Sequence, residues 1–339
     1  MDAPRRIAIH GAGSVGCFIG GAWLKAGLDV VFIGRERIGA EIAAHGLALS
    51  DQHGWKARLS PEQVDFRTSP EALREADAVV LTVKSTGTEA AAAEIARHAR
   101  PGTAVLSFQN GIGNAALLKR LLPDFAIVHA MVPYNVVRLG PGRWHRATWG
   151  ELMAERTPVT EALSRRLGDT PGRLVLADDM IAVAWGKLLF NLNNAVNALS
   201  GTTILEELRQ RGFRRIVSAA ILETLELLTA AGIEPARIGQ VPPRLLPHAI
   251  GSPDFVFRNL FLRVQKIDPK ARSSMSDDFD AGRPTEVDWL NGEVVALARS
   301  LGRDAPVNAA IVALVKQAEN GGRRNWPAAD LARAVLGSR

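Results

Sequence analysis

The chain has a single cysteine, Cys17, and a single tyrosine, Tyr134, among 339 residues. One cysteine excludes an intramolecular disulfide framework and fits a reducing compartment. No uninterrupted apolar stretch approaches the roughly 20 residues that a membrane helix needs, so no membrane partner is expected. Met1 to Arg6 runs straight into a strand pattern without a separate apolar signal segment, and a cytoplasmic protein is the expectation. Charge of one sign is also scarce. The net charge is only +6, the basic residues are scattered, and a lone tyrosine offers little for base stacking, so no nucleic-acid partner is expected. A small anion, phosphate or carboxylate, suits this modest positive bias better.

What is present is apolar residue in quantity, 47% of the chain, and a length that suits two domains of about 100–200 residues each. Through the first half, short apolar runs alternate with helical periodicity. Strands are expected at Arg6–His10, Asp29–Ile33, Ala78–Val83, Ala104–Phe108 and Ala126–Ala130, with a helix over Ser14–Ala26. Continuous apolar strands separated by helices imply a parallel sheet covered on both faces. Leu47 to Arg67 reads as an irregular excursion. Val132 to Trp149, with Gly140-Pro141-Gly142 at its turn, reads as an antiparallel hairpin appended to the sheet.

From Ile181 the pattern is helical, with helices expected near Met180–Leu199, Phe213–Ala231, Asp254–Gln265, Pro284–Leu301 and Pro306–Gln317. The expected class is α/β: a Rossmann-type parallel-sheet domain over residues 1–177, an all-helical domain over 178–325, and a C-terminal tail over 326–339.

Gly11-Ala12-Gly13-Ser14-Val15-Gly16 follows the first strand and opens the first helix. In that context Gly11 permits a tight turn, Gly13 lets the backbone approach a pyrophosphate, and Gly16 lets the helix lie close to the strand. The helix N-terminus then faces the phosphates. An NAD enzyme usually ends its second strand in an acid, but here Gly34-Arg35 stands at that place. Arginine suits a 2′-phosphate, which points to NADP; a solvated loop arginine is the plain alternative. Cys17, on the first turn of the helix, reads as a small packed apolar residue.

Ligands of open parallel sheets bind beyond the carboxyl ends of the strands. Lys84 and the Gln109-Asn110-Gly111 run occupy two such ends. In the helical half, Lys187, Asn191 and Asn194 fall at i, i+4 and i+7 on an otherwise apolar helix, so the stripe should meet something polar. Thr285 and Asp288 have capping-box spacing, which would start a helix at Thr285 and put Glu286 in its first turn.

In these motifs, taken in order, the sequence resembles the ketopantoate reductase family from Arg6 to about Gln317. The carriers are Gly11 to Gly16, Val83-Lys84, Gln109-Asn110-Gly111, Lys187-Leu188-Leu189-Phe190-Asn191, and Ser273-Ser274-Met275 leading to Gly282-Arg283-Pro284-Thr285-Glu286-Val287-Asp288. The resemblance implies a C-terminal domain like that of 6-phosphogluconate dehydrogenase and NADPH-dependent reduction of a 2-oxo acid, with ketopantoate the first candidate. By the same resemblance Lys187 is the proton donor and Glu286 a catalytic-motif acid that also contacts the cofactor. Ala12, Ser14, Val15, Arg35, Lys84, Asn110 and, by a loose match, Val136 join the glycines in holding the cofactor. Asn110, Lys187, Asn191, Asn194 and Ser274 contact the substrate. No metal is expected, and a homodimer is the assembly to test. The sequence departs from the family at two asparagine positions, which here are Ala195 and Leu205; Asn194 lies next to the first. A reductase for another 2-oxo acid and a non-catalytic NADPH sensor are the competing readings.

Overall fold

The computed structural model describes residues 3–261 and 268–337, and the chain divides into two compact units, Met1–Met180 and Ile181–Arg339. The first unit opens with β1 (Arg6–His10), α1 (Ser14–Lys25), β2 (Asp29–Ile33) and α2 (Glu36–His45). It continues through β3 (Leu47–Asp51), β4 (Lys56–Leu59), β5 (Asp65–Arg67), β6 (Ala78–Leu81), α3 (Thr88–His98), β7 (Ala104–Ser107), α4 (Asn114–Leu121) and β8 (Ala126–Met131). It closes with β9 (Val136–Gly140), β10 (Arg143–Arg146), β11 (Leu152–Glu155), α5 (Pro158–Leu167) and β12 (Leu174–Ala177).

Eight strands form one sheet in the order β12-β11-β8-β7-β6-β1-β2-β5. The six from β8 to β5 are parallel, whereas β11 runs antiparallel to β8. Alternate residues of the central strands enter two cores. Ile7, Ile9, Phe32 and Val80 face one; Ala8, Val31, Val79 and Val105 face the other. That two-sided burial is why these strands read as unbroken apolar runs. The strand order reverses between β1 and β6, which makes a topological switch point at their carboxyl ends.

Two expectations for this unit need correction. Leu47 to Arg67 is not irregular: β3 and β4 pair as an antiparallel hairpin and β5 extends the main sheet beside β2. The β9–β10 hairpin is real but does not join the main sheet. It pairs with β3 to make a separate sheet in the order β4-β3-β10-β9. These strands are covered on one side only, so buried Leu47, Leu49 and Trp144 alternate with the more exposed Ala48, Ser50 and His145 and give no long apolar run. A buried Arg146–Asp51 ion pair at 2.7 Å fastens the second sheet, and the Arg146 guanidinium lies over the Phe18 and Tyr134 rings.

The described part of the second unit is helical: α6 (Met180–Asn191), α7 (Asn193–Ser200), α8 (Ile204–Leu208), α9 (Arg211–Ala230), α10 (Leu246–Gly251), α11 (Asp254–Val256), α12 (Ser274–Asp280), α13 (Asn291–Ser300), α14 (Pro306–Glu319) and α15 (Ala328–Leu336). α9 is its axis, with α7, α8, α10, α13, α14 and α15 packed on it. The stretch expected as a tail carries α15, whose Leu331 is fully buried.

The helix expected over Met180–Leu199 is interrupted at Leu192, so Asn194 stands on a different helix from Lys187 and Asn191. The helix expected at Asp254–Gln265 is only α11 followed by a π-turn at Phe257–Phe261, and its remainder lies outside the described residues. The helix expected from Pro284 begins at Asn291. Both members of the supposed capping box are engaged by α14. Thr285 donates through its N–H and its hydroxyl to Glu319 at 2.8 and 2.7 Å, and Asp288 pairs with Lys316 at 2.6 Å. Glu286 accordingly precedes a single 3-10 turn, Val287–Trp289, rather than lying in a helix. Among the described residues no helix is long and apolar enough to cross a membrane.

Candidate active site

In the first unit the glycine-rich loop leaves β1 at the switch point. The N–H groups of Gly11 and Ala12 both donate to the Ile33 carbonyl, at 3.0 and 2.9 Å, which ties the loop to the end of β2. Gly11 has φ +100°, and a Cβ there would lie 2.6 Å from the Val83 backbone nitrogen. At Gly16 a Cβ would meet the Thr82 hydroxyl at 2.6 Å and the Gly11 carbonyl at 2.7 Å, so its absence is what lets α1 lie against β1. Gly13 differs from both. A Cβ there would approach only the Gly11 carbonyl, at 3.9 Å, and would project into open space in front of α1. No side chain caps that helix and no acid stands in its first turn. The open approach at Gly13, the first-turn N–H groups without a side-chain cap and the positive dipole end fit a pyrophosphate. Ser14 and Val15 stand half-buried on the first turn.

Arg35 is the exposed residue that precedes α2, and it makes no ion pair among the described residues. Cys17 is buried, as expected of a packing residue; burial pushes its thiol pKa far up, and its Sγ donates to the Ala12 carbonyl at 3.5 Å. Val136 begins β9, which packs on α1, and is half-buried against the core.

Lys84 follows β6, which lies beside β1, and Asn110 follows β7, one strand further out, so both stand at carboxyl ends of the sheet that carries the glycine loop. A buried polar network joins their loops. Gln109 Nε2 donates to the Val83 carbonyl at 3.2 Å and to the Thr88 hydroxyl at 2.8 Å. Asn114 Nδ2 donates to the Ser85 hydroxyl at 2.9 Å and to the Asn110 carbonyl at 2.6 Å. Thr88, Gln109 and Asn114 are all buried, so the bonds are shielded from water and hold the Asn110 backbone in place.

In the second unit Lys187 rides on α6 between buried Trp185, Leu188 and Leu189. Gly186 beside it permits close packing, since a Cβ there would lie 2.1 Å from the Ala236 carbonyl. Lys187 is half-buried, and loss of hydration brings its ammonium down to about 8, with the charge of Glu286 working in the opposite direction. Glu286, only 7% exposed, is thereby placed in electrostatic reach of Lys187. Asn191 is the last residue of α6, one turn beyond Lys187. Asn194 and Ser274 are drawn together by the residue between them in space: Ser273 caps α12 and donates its hydroxyl to the Asn194 carbonyl at 3.0 Å. Ala195 is buried and Leu205 half-buried.

These two sets of residues match known proteins. Residues 7–158 fit the family described as ketopantoate reductase PanE/ApbA, and residues 179–319 fit its C-terminal domain. The chain belongs to the ketopantoate reductase family. Its members are oxidoreductases with a Rossmann-type domain for a nicotinamide dinucleotide. A 2-dehydropantoate 2-reductase of Mycobacterium tuberculosis is 29% identical over 93% of this chain and 98% of its own length. A PanE/ApbA family ketopantoate reductase from Ralstonia eutropha JMP134 superposes with a TM-score of 0.79 at 28% identity, covering 93% of this chain and 99% of that one. D-mandelate dehydrogenase, solved with NADH and anilino(oxo)acetate, shares the fold with a TM-score of 0.74 at 18% identity, over 93% and 99% of the two chains.

The family motifs did not disclose every polar residue that builds the site. Asn197 lies outside the Lys187, Asn191 and Asn194 spacing and is fully buried. Its Oδ1 accepts from the Ser273 N–H at 2.9 Å and the Ser276 hydroxyl at 3.0 Å. Its Nδ2 donates to Glu207 at 2.7 Å, and Glu207 is fully buried as well. An asparagine within the apolar run Ala195 to Leu199 was the available signal. For Glu207 it was the Thr203–Glu206 capping box, which turns Glu206 outward and the next residue inward.

Proposed function

We propose that this protein reduces a 2-oxo acid to the 2-hydroxy acid with NADPH, and that the substrate is 2-dehydropantoate, giving (R)-pantoate for pantothenate and coenzyme A synthesis. The observation that carries the reading is Lys187: a half-buried ammonium with its pKa brought to about 8, on an apolar helix and in the field of Glu286. A proton donor is most effective when its pKa lies near the working pH.

Gly11 to Gly16 would hold the pyrophosphate, Arg35 the 2′-phosphate, and Lys84 and the Asn110 loop the rest of the dinucleotide, with Val136 nearby. When bound, NADPH supplies the hydride for the ketone carbon. The electron pair of the carbonyl then moves onto oxygen. Lys187 Nζ stabilises that charge and donates its proton there, leaving the hydroxyl group and a neutral amine. Glu286 supports the protonated state of Lys187 and so keeps the donor charged before turnover. Asn191, Asn194, Ser274 and Asn110 supply the hydrogen-bonding groups that orient a small carboxylate substrate.

A second reading, a reductase for a more apolar 2-oxo acid, rests on Ala195 and Leu205, which offer no side-chain hydrogen bond. One experiment addresses both: NADPH oxidation measured across a panel of 2-oxo acids. The first reading expects the highest kcat/KM on ketopantoate. The second expects it on a 2-oxo acid without a hydroxyl. Absence of turnover on every member would reject both.

A further inference from the structure

Glu207 is not needed to cap its helix, for Thr203 and Glu206 do that, yet it is fully buried. Both amides that reach it address one oxygen: Oε2 accepts from Asn197 Nδ2 at 2.7 Å and from Asn193 Nδ2 at 3.4 Å. Oε1 is buried and has no hydrogen-bond partner among the described residues. Among the described residues, the charged groups on the elements packed around it are paired elsewhere or exposed. α7 carries no charged residue. On α9, Arg214 pairs with Asp254, and Arg211 and Arg215 are exposed. On the segment leading to α12, Arg272 pairs with Asp280, while Asp268 and Lys270 are exposed. Glu206 is exposed and bonded to Thr203, and Arg209 at the end of α8 is exposed. Among the described residues no lysine, arginine or histidine forms an ion pair with Glu207.

An isolated buried carboxylate is strongly disfavoured, and a protonated one is not. We infer that Glu207 is a positioning residue that works as a neutral carboxylic acid, with its proton on Oε1 and its Oε2 anchoring Asn193 and Asn197. Through Asn197 the anchor extends to the Ser273 N–H and the Ser276 hydroxyl, and through Ser273 to the Asn194 carbonyl. The acid thus fixes the two residues, Asn194 and Ser274, that the proposed function assigns to the substrate, and in this respect the inference rests on that reading. Burial also pushes the carboxyl up to about 8, while the two amides pull it down.

The consequence for stability has a definite sign. The unfolded chain ionises this group near its ordinary value of 4.5, whereas the folded protein keeps it protonated to about 8. Between those values the folded state binds the extra proton, so stability falls as pH rises through the window and levels off above it. Glutamine has the same shape, keeps an acceptor oxygen and has no proton to lose.

The test compares the wild type with Glu207→Gln and Glu207→Ala as full-length proteins. A wild-type minus Glu207→Gln infrared difference spectrum at neutral pH is expected to show the carbonyl stretch of a protonated carboxylic acid. The thermal midpoint of Glu207→Gln should exceed that of the wild type by a margin that grows from about pH 4.5 to about pH 8. Glu207→Gln should retain the wild-type KM for the 2-oxo acid, whereas Glu207→Ala should raise it about tenfold, the cost of one buried hydrogen bond. NADPH affinity should be unchanged in both variants. A carboxylate band in place of the acid band, or a midpoint margin independent of pH, would overturn the neutral state whatever the substrate proves to be. Equal KM values for the alanine variant and the wild type would overturn the positioning role.

Discussion

Asn197 Oδ1 accepts the backbone N–H of Ser273 at 2.9 Å, a contact between residues 76 positions apart in the chain. The same side chain donates to Glu207, so it joins three helices of the second unit. Asn197→Ala would strand the Ser273 N–H and the Ser276 hydroxyl in a buried site. A loss of stability on the order of 3 kcal/mol is expected, since each unsatisfied buried group costs about 1–3 kcal/mol. Denaturant unfolding measures it; an alanine variant within 0.5 kcal/mol of the wild type, about the scatter of a surface change, would refute the assignment.

Lys187→Ala is expected to lower kcat on the best 2-oxo acid by about 100-fold or more, the usual contribution of a general acid. The thermal midpoint should hold or rise, because a desolvated ammonium is removed and alanine favours helix. In the wild type, kcat should fall as pH rises through about 8, where Lys187 loses the proton it must donate. A kcat that is flat across that range would reject Lys187 as the donor.

Gly13→Val and Gly16→Val should fail for different reasons. Valine at Gly13 enters open space, so the protein should fold with a wild-type midpoint and bind dinucleotide weakly. Valine at Gly16 would collide with Thr82 and the Gly11 carbonyl, so the midpoint itself should drop. Calorimetric titration and thermal unfolding separate the cases. Undiminished NADPH binding by Gly13→Val would remove the loop from the cofactor site.

Arg35→Ala should reduce the preference for NADPH over NADH about tenfold or more, since a charge-assisted contact is worth about 1.5–3 kcal/mol. Stability should be unaffected, because Arg35 is exposed and unpaired among the described residues. The ratio of kcat/KM values for the two cofactors is the readout, and a wild type that uses both equally would dismiss the role of Arg35.

The parallel sheet was legible because double-sided burial writes itself as runs such as Ala78 to Leu81. The second sheet was not. β3 and β4 bury one face, and their partner β10 lies far along the chain, where no local pattern points back to them. The interruption at Leu192 was also invisible, since Leu192 is a good helix former in a helical sequence. At the site, Gly11 and Gly16 declared their packing roles through spacing, and Lys187 its place on an apolar helix. Thr285 misled because Glu319, 34 residues away, takes its hydroxyl. Asn197 and Glu207 escaped because partnership in three dimensions, not spacing, defines them.

The parallel pairing of β3 with β10 bears on how the first unit is made. Arg146 and Asp51, which clasp that sheet, are 95 residues apart. On the ribosome the β3–β4 hairpin therefore emerges long before the strand that completes it, with an open edge and an uncompensated Asp51. Loop closure over that distance is costly and slow. The clasp thus closes only once β10 has been made, and until then the waiting edge is open to wrong pairing.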